Sequence, residues 1–190
     1  MSAGPGRPVF LTGMMGAGKS TVAPLLAAAW GAQWVDLDVR VARIFGATPA
    51  QLFARGEAQF RRCEHHALRL LLAEPGLRAR TVVVATGGGV VVDPANRALM
   101  AGAGHVALLE VSPDELARRL LAADKRADRP LLAGDSATVR ARLAELLMAR
   151  RSAYAEADVV VDAEGSPQDA VRRLLSAFSE EPHDGVRPHR

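Results

Sequence analysis

VFLTGMMGAGKST, residues 9–21, sets a short apolar run directly against a loop with glycine at positions 13, 16 and 18. Val9, Phe10, Leu11 and Thr12 have the β-branched and aromatic character of a short buried strand. GMMGAGKST then fits G-x-x-x-x-G-K-[ST] at Gly13, Gly18, Lys19 and Ser20. Average residue usage produces such a match by chance in on the order of one chain in a hundred of this length, and far less often between a strand and a helix. The physical reading is a phosphate loop for ATP. Gly13, Gly16 and Gly18 let the backbone wrap so that its N–H groups, through Ala17 to Ser20 and Thr21, face an anion at the start of the next helix. Lys19 adds a point charge on the β- and γ-phosphates, and the Ser20 hydroxyl is placed to ligate Mg²⁺.

Outward from this unit the chain alternates between two patterns. Apolar runs at 9–12, 33–35, 81–85, 105–111 and 158–161 read as strands. Helical patterns follow at 19–30, 39–45, 49–55, 58–73, 94–101, 113–122, 137–154 and 167–178. Thr48-Pro49, Ser112-Pro113 and Ser166-Pro167 each offer an N-cap followed by proline at the first helical position. The alternation predicts an α/β fold of three layers, a five-stranded parallel sheet flanked by helices, with ligands outside the carboxyl ends of the strands. We expect one domain over residues 1–178 with its core at 8–178, acceptor-binding helices at 37–73, a charged lid loop at 123–135 and a disordered tail at 179–190.

Composition narrows the class. Hydrophobic residues make up 49% of the chain and aromatics only 4%, which points to a core of small aliphatic side chains. Cys63 is alone, so no internal disulfide forms, and it reads as a small buried core residue. MSAGPGRPVFLTG has no charged segment leading into a long apolar one, so a cytoplasmic protein without a membrane span is expected. Net charge is +3, and the arginines are spread along the chain rather than gathered in a block, which argues against a nucleic-acid partner. No large apolar stripe is left over for an interface, and a monomer is expected.

A phosphate loop names the donor and leaves the acceptor open. VDLD puts Asp36 and Asp38 two apart, which on an extended chain sends both carboxylates to one side at the strand end. One would orient Mg²⁺ and the other take a hydroxyl proton; an aspartate here also suits helix N-capping. GEAQFRRCE places Phe60, Arg61 and Glu64 near a helix start, with Glu64 on the face of Arg61 and able to aim its guanidinium at an anion. An exposed helical ion pair has the same spacing. His65 and His66 follow as ordinary helix residues. VVVATGGGVVVD, residues 82–93, ends a strand with Gly87, Gly88 and Gly89, a cost in entropy and packing that implies something coming close to the backbone. In RPLL of the lid, Arg129 is set to reach the γ-phosphate, and Arg150, Arg151 and Tyr154 close a long helix whose C-terminal dipole also favours cations.

Taken in order, GMMGAGKST, DLD, GEAQFRRCE, GGG, RPLL and RRSAY resemble the shikimate kinase family over residues 8–178. The resemblance implies ATP-dependent phosphorylation of the 3-hydroxyl of shikimate on the P-loop, nucleoside-monophosphate-kinase-like fold. It further implies that Ser20 binds Mg²⁺ with Asp36 in support, that Asp38 takes or orients the acceptor hydroxyl, and that Arg61 and Arg151 clamp the carboxylate while Glu64 positions Arg61. By the same resemblance Gly87, Gly88 and Gly89 meet the substrate through backbone groups, so Gly88→Ala is expected to spare ATP binding. Arg129 would stabilise the transferring phosphoryl. The arginine that packs on adenine is Arg119 or Arg126, since the lid is about two residues longer than the family's pattern. A gluconate or nucleotide kinase of the same fold, or a silent ATP-binding relative acting as a partner module, are the competing readings.

Overall fold

β1 (Val9–Thr12) is buried along its whole length at the centre of a five-stranded sheet. The order is β2-β3-β1-β4-β5, with β2 at Gln33–Asp36, β3 at Val82–Ala85, β4 at His105–Glu110 and β5 at Val159–Asp162. Every pairing is parallel; Leu11 is in register with Ala85 on one side and Ala107 on the other. The continuous apolar runs therefore fall on inner strands covered on both faces, while edge strand β5 alternates buried and exposed residues. The computed structural model describes residues 3–122 and 135–180.

Eight helices flank the sheet among the described residues: α1 (Lys19–Trp30), α2 (Leu37–Phe45), α3 (Pro49–Ala54), α4 (Glu57–Leu72), α5 (Pro94–Ala103), α6 (Pro113–Ala122), α7 (Ser136–Tyr154) and α8 (Pro167–Glu180). Their ends follow local chemistry. Thr48 and Gln51 form a reciprocal capping box across Pro49 at the start of α3, and Asp93 and Asp135 cap α5 and α7. Trp30 meets Phe178 edge-to-face with ring centroids 5.5 Å apart, which ties the end of α1 to α8. Cys63 is buried in the core, as expected of it.

Two sequence expectations are corrected. β2 ends at Asp36, and Asp38 lies in the first turn of α2 rather than on an extended chain. The reason is that Asp36 accepts hydrogen bonds from the Asp38 and Val39 amides and so starts the helix two residues early. Ser179 and Glu180 extend α8, so the tail does not begin at 179. After the glycine triplet the valines form a 3-10 turn, Val90–Val92, that leads into α5. The lid residues 123–134, with Arg126 and Arg129, and residues 181–190 of the tail lie outside the described residues. Among those described, no helix is long and apolar enough to cross a membrane.

Candidate active site

Chain leaving the carboxyl end of each strand contributes to one cleft of about 610 Å³. Its wall includes the phosphate loop after β1, Asp38 after β2, Gly87–Gly89 after β3, Glu115, Arg118 and Arg119 after β4, and Ala163 and Gly165 after β5. α3 and α4 add Phe53, Phe60, Arg61 and Glu64, and α7 adds Arg150. A volume of this size suits a small ligand beside a nucleotide's phosphates.

The phosphate loop has the wrapped backbone its glycines require, with Gly13, Gly16 and Gly18 at φ 137°, 87° and 95°. A Cβ on Gly13 would come within 2.6 Å of the Leu109 carbonyl, so glycine is needed there for space as well. Lys19 is buried and donates to the carbonyls of Gly13 at 2.7 Å and Met14 at 3.0 Å, which curls its ammonium over the loop. Ser20 Oγ donates to Asp36 Oδ2 at 2.7 Å, while Asp36 Oδ1 caps α2. Asp36 therefore caps α2 with one oxygen and holds the Ser20 hydroxyl with the other. Hydroxyl and carboxylate oxygens are hard donors that fit Mg²⁺, and no cluster of three metal-ligating side chains competes for a cation among the described residues.

On α4, Arg61 Nη1 donates to Glu64 Oε2 at 2.5 Å and Nη2 to Glu57 Oε1 at 3.0 Å. Burial opposes the charge on Arg61, yet Glu64 and Glu57 together raise its pKa above the ordinary value. Glu64 is 1% exposed; burial, with Asp38 nearby, pushes its carboxyl up to about 7 against the pull of Arg61 and Arg150. The pair is thus no solvated helical bridge: buried Glu64 and half-buried Arg61 both line the cleft.

None of Gly87, Gly88 or Gly89 has a positive φ, so close approach and not backbone freedom explains the triplet. A Cβ on Gly87 would lie 2.6 Å from Glu64 Oε1 and 2.8 Å from Asp38 Oδ1. On Gly88 it would press the phosphate-loop backbone, 3.2 Å from both Gly13 O and Met15 N. On Gly89 it would fall within 2.5 Å of the Arg61 guanidinium carbon. The glycines make room first for the protein's own groups.

Arg151 is exposed on α7, and Arg150 takes the place expected of it. Arg150 is 6% exposed and donates Nη1 to Gly88 O at 3.0 Å, where Tyr154 Oη also donates at 3.0 Å. One residue along a helix turns the side chain by about 100°, which carries Arg151 out of the cleft. The four-residue spacing between Arg150 and buried Tyr154 was the signal that could have separated the two arginines. Arg119 lies beside the phosphate loop: Nη2 donates to Ala163 O and Glu164 O at 2.7 Å, and Nε to Glu115 Oε1 at 2.7 Å. Hydrogen bonds from Arg118, and next from Arg119, hold the Glu115 carboxyl down to about 2. Thr21 borders the same end, and neither Glu115 nor Arg118 stood out in the sequence.

Comparison with known proteins agrees with this geometry. The family model described as shikimate kinase matches residues 15–179. The shikimate kinase of Geobacter sulfurreducens is 42% identical over 177 residues, which is 93% of this chain and 92% of the relative. Among solved structures, shikimate kinase from Bacteroides thetaiotaomicron superposes with a TM-score of 0.82 at 31% identity, covering 91% of this chain and 98% of that one. Shikimate kinase from Acinetobacter baumannii in complex with shikimate gives 0.79 at 31% identity, covering 91% and 93%.

Proposed function

Since the chain belongs to the shikimate kinase family, we propose that its cleft joins ATP to shikimate and moves the γ-phosphoryl group to the 3-hydroxyl, giving 3-phosphoshikimate and ADP. The chain is an enzyme with shikimate kinase activity; the residue roles are our reading. What supports them is a single cleft lined at once by the phosphate loop, Asp38, Arg61, Glu64 and Arg150. A small anionic polyol needs an arginine clamp for its carboxylate and polar contacts for its hydroxyls, and this wall supplies both.

In this reading Gly13, Gly16, Ala17, Gly18 and Thr21 frame the ATP phosphates through backbone groups, and Lys19 leaves its loop carbonyls for the β- and γ-phosphates. Ser20 would hold Mg²⁺ through its oxygen while its hydroxyl goes on donating its hydrogen bond to Asp36 Oδ2. When bound, the ion neutralises charge on the transferring phosphate. Arg119 packs against adenine. Arg61 and Arg150 grip the shikimate carboxylate, and Gly87 to Gly89 bring backbone groups to the ring. Asp38 accepts the proton of the 3-hydroxyl as its oxygen bonds to the γ-phosphorus and the bond to the ADP oxygen breaks. Arg129, outside the described residues, stabilises charge on the phosphoryl in flight. We take the protein to act as a cytoplasmic monomer, a single kinase domain with neither nucleic acid nor membrane as partner; light scattering tests the monomer.

A coupled ADP-release assay tests the substrate assignment: turnover with shikimate is expected, and turnover with gluconate alone would replace it. Arg150→Ala should raise the KM for shikimate by about 10- to 100-fold, the loss of one charge-assisted contact, while Arg151→Ala stays within about twofold of the parent. Asp38→Asn should bind ATP and lose phosphoryl transfer; near-parental turnover would remove Asp38 from the chemistry.

A further inference from the structure

Asn96, three residues into α5 and 1% exposed, donates Nδ2 to the carbonyl of Val90 at 3.0 Å, the first residue after the glycine triplet. Its Oδ1 lies 2.7 Å from Nδ1 of His65 on α4. A carbonyl only accepts, so the amide nitrogen must face Val90, Oδ1 must accept from the imidazole, and Nδ1 of His65 carries the proton. Asp93, the N-cap of α5, sets its Oδ2 4.0 Å from the same nitrogen. His65 directly follows Glu64 and is four residues from Arg61, so this buried amide joins the backbone of the glycine turn to the helix that carries the clamp.

The separation it sets has little slack. Glu64 and Arg61 occupy the space beside Gly87 and Gly89 where side chains would otherwise stand. If α4 drifted away, the guanidinium would leave the turn; if it drifted inward, it would meet backbone. Other side chains hold the same segment, Arg150 and Tyr154 at Gly88 O and Arg97 at Val91 O; Asn96 holds it while also hydrogen-bonding His65 on α4. Neither Asn96 nor His65 lines the cleft. We propose that Asn96 and His65 are positioning residues for the acceptor, setting the distance between the Arg61 clamp and the glycine turn; this rests on the acceptor lying between Asp38, Arg61 and that turn.

The test is steady-state kinetics and thermal melting of the full chain with Asn96→Ala, His65→Ala and His65→Asn, beside Arg61→Ala. Asn places its amide nitrogen where His has Nδ1, so it can restore the donor. Asn96→Ala is expected to raise the KM for shikimate about tenfold, and His65→Ala about threefold to fivefold, with the KM for ATP within about twofold throughout. His65→Asn should return the shikimate KM to within about twofold of the parent. The partly exposed His65 carries the test if Asn96→Ala does not fold. A lowered Tm with the shikimate KM unchanged in the alanine variants, or no recovery in His65→Asn, overturns the positioning role. An unchanged shikimate KM in Arg61→Ala overturns instead the acceptor site on which it rests.

Discussion

Gly88 and Gly89 are adjacent, yet what each would strike if it carried a side chain predicts different phenotypes. A methyl at Gly89 meets the far end of Arg61, which can swing aside, so Gly89→Ala should fold, raise the shikimate KM by about tenfold and leave the ATP KM alone. A methyl at Gly88 meets backbone of the phosphate loop, which cannot swing aside, so Gly88→Ala should weaken ATP as well. Measuring both KM values separates the two, and the result expected for Gly88 reverses the one read from sequence. Glu64 gives a second residue-scale outcome. Its pKa is raised from the ordinary 4.5 to about 7, so between those values the folded state holds more protons than the unfolded one. Stability from this group is therefore greatest below 4.5 and declines as pH rises to about 7. Glu64→Gln should flatten that part of the Tm-against-pH curve; an unaltered slope would place the titration elsewhere.

At the scale of elements, α2 starts where it does because one carboxylate oxygen of Asp36 caps it, and the other oxygen fixes Ser20 on α1. Asp36→Asn keeps an acceptor for the cap and should cost less than about 1 kcal/mol, whereas Asp36→Ala should cost about 1–2 kcal/mol in denaturant unfolding. Both should raise the Mg²⁺ needed for half-maximal rate. Capping also shows where sequence reading reached its limit. The runs that became β1 and α1, and the start of α6, were legible to the residue because a glycine or a proline marks those ends. Asp38 was picked out as an acceptor residue, but its place on a helix was hidden, since VDLD suits a strand until the Asp36 carboxylate turns onto the amides of Asp38 and Val39. Arg150 was hidden for a similar reason: two adjacent arginines differ only in which face of α7 turns to the sheet. Asn96 had no motif at all, because its partners come from α4 and from the turn before α5.

Across the whole molecule, five strand ends deliver groups to one cleft. Ligands bound to the folded state alone stabilise it by mass action, about 2.7 kcal/mol at a hundred times Kd. Shikimate and a non-hydrolysable ATP analogue should each raise Tm, and Arg150→Ala should abolish the rise with shikimate alone while keeping that with nucleotide. A shikimate shift that survives Arg150→Ala would count against the clamp. The parallel order of the sheet was legible from alternating patterns, since strands buried on both faces must be apolar throughout and need helices to cross between them.

The glycine triplet also predicts the genetics of the pocket. Suppressors of the stability loss in Gly89→Ala should arise at Arg61 on α4, where a slimmer head would relieve the overlap, and those of Gly87→Ala at Asp38 or Glu64, in each case without restoring the acceptor site. Gly88→Ala should have none at a single site, because its neighbours are main-chain atoms of the phosphate loop that every amino acid shares. Three identical letters thus sit under three separate epistatic constraints, and an effort to retune the acceptor would begin on α2 and α4 rather than on the turn itself.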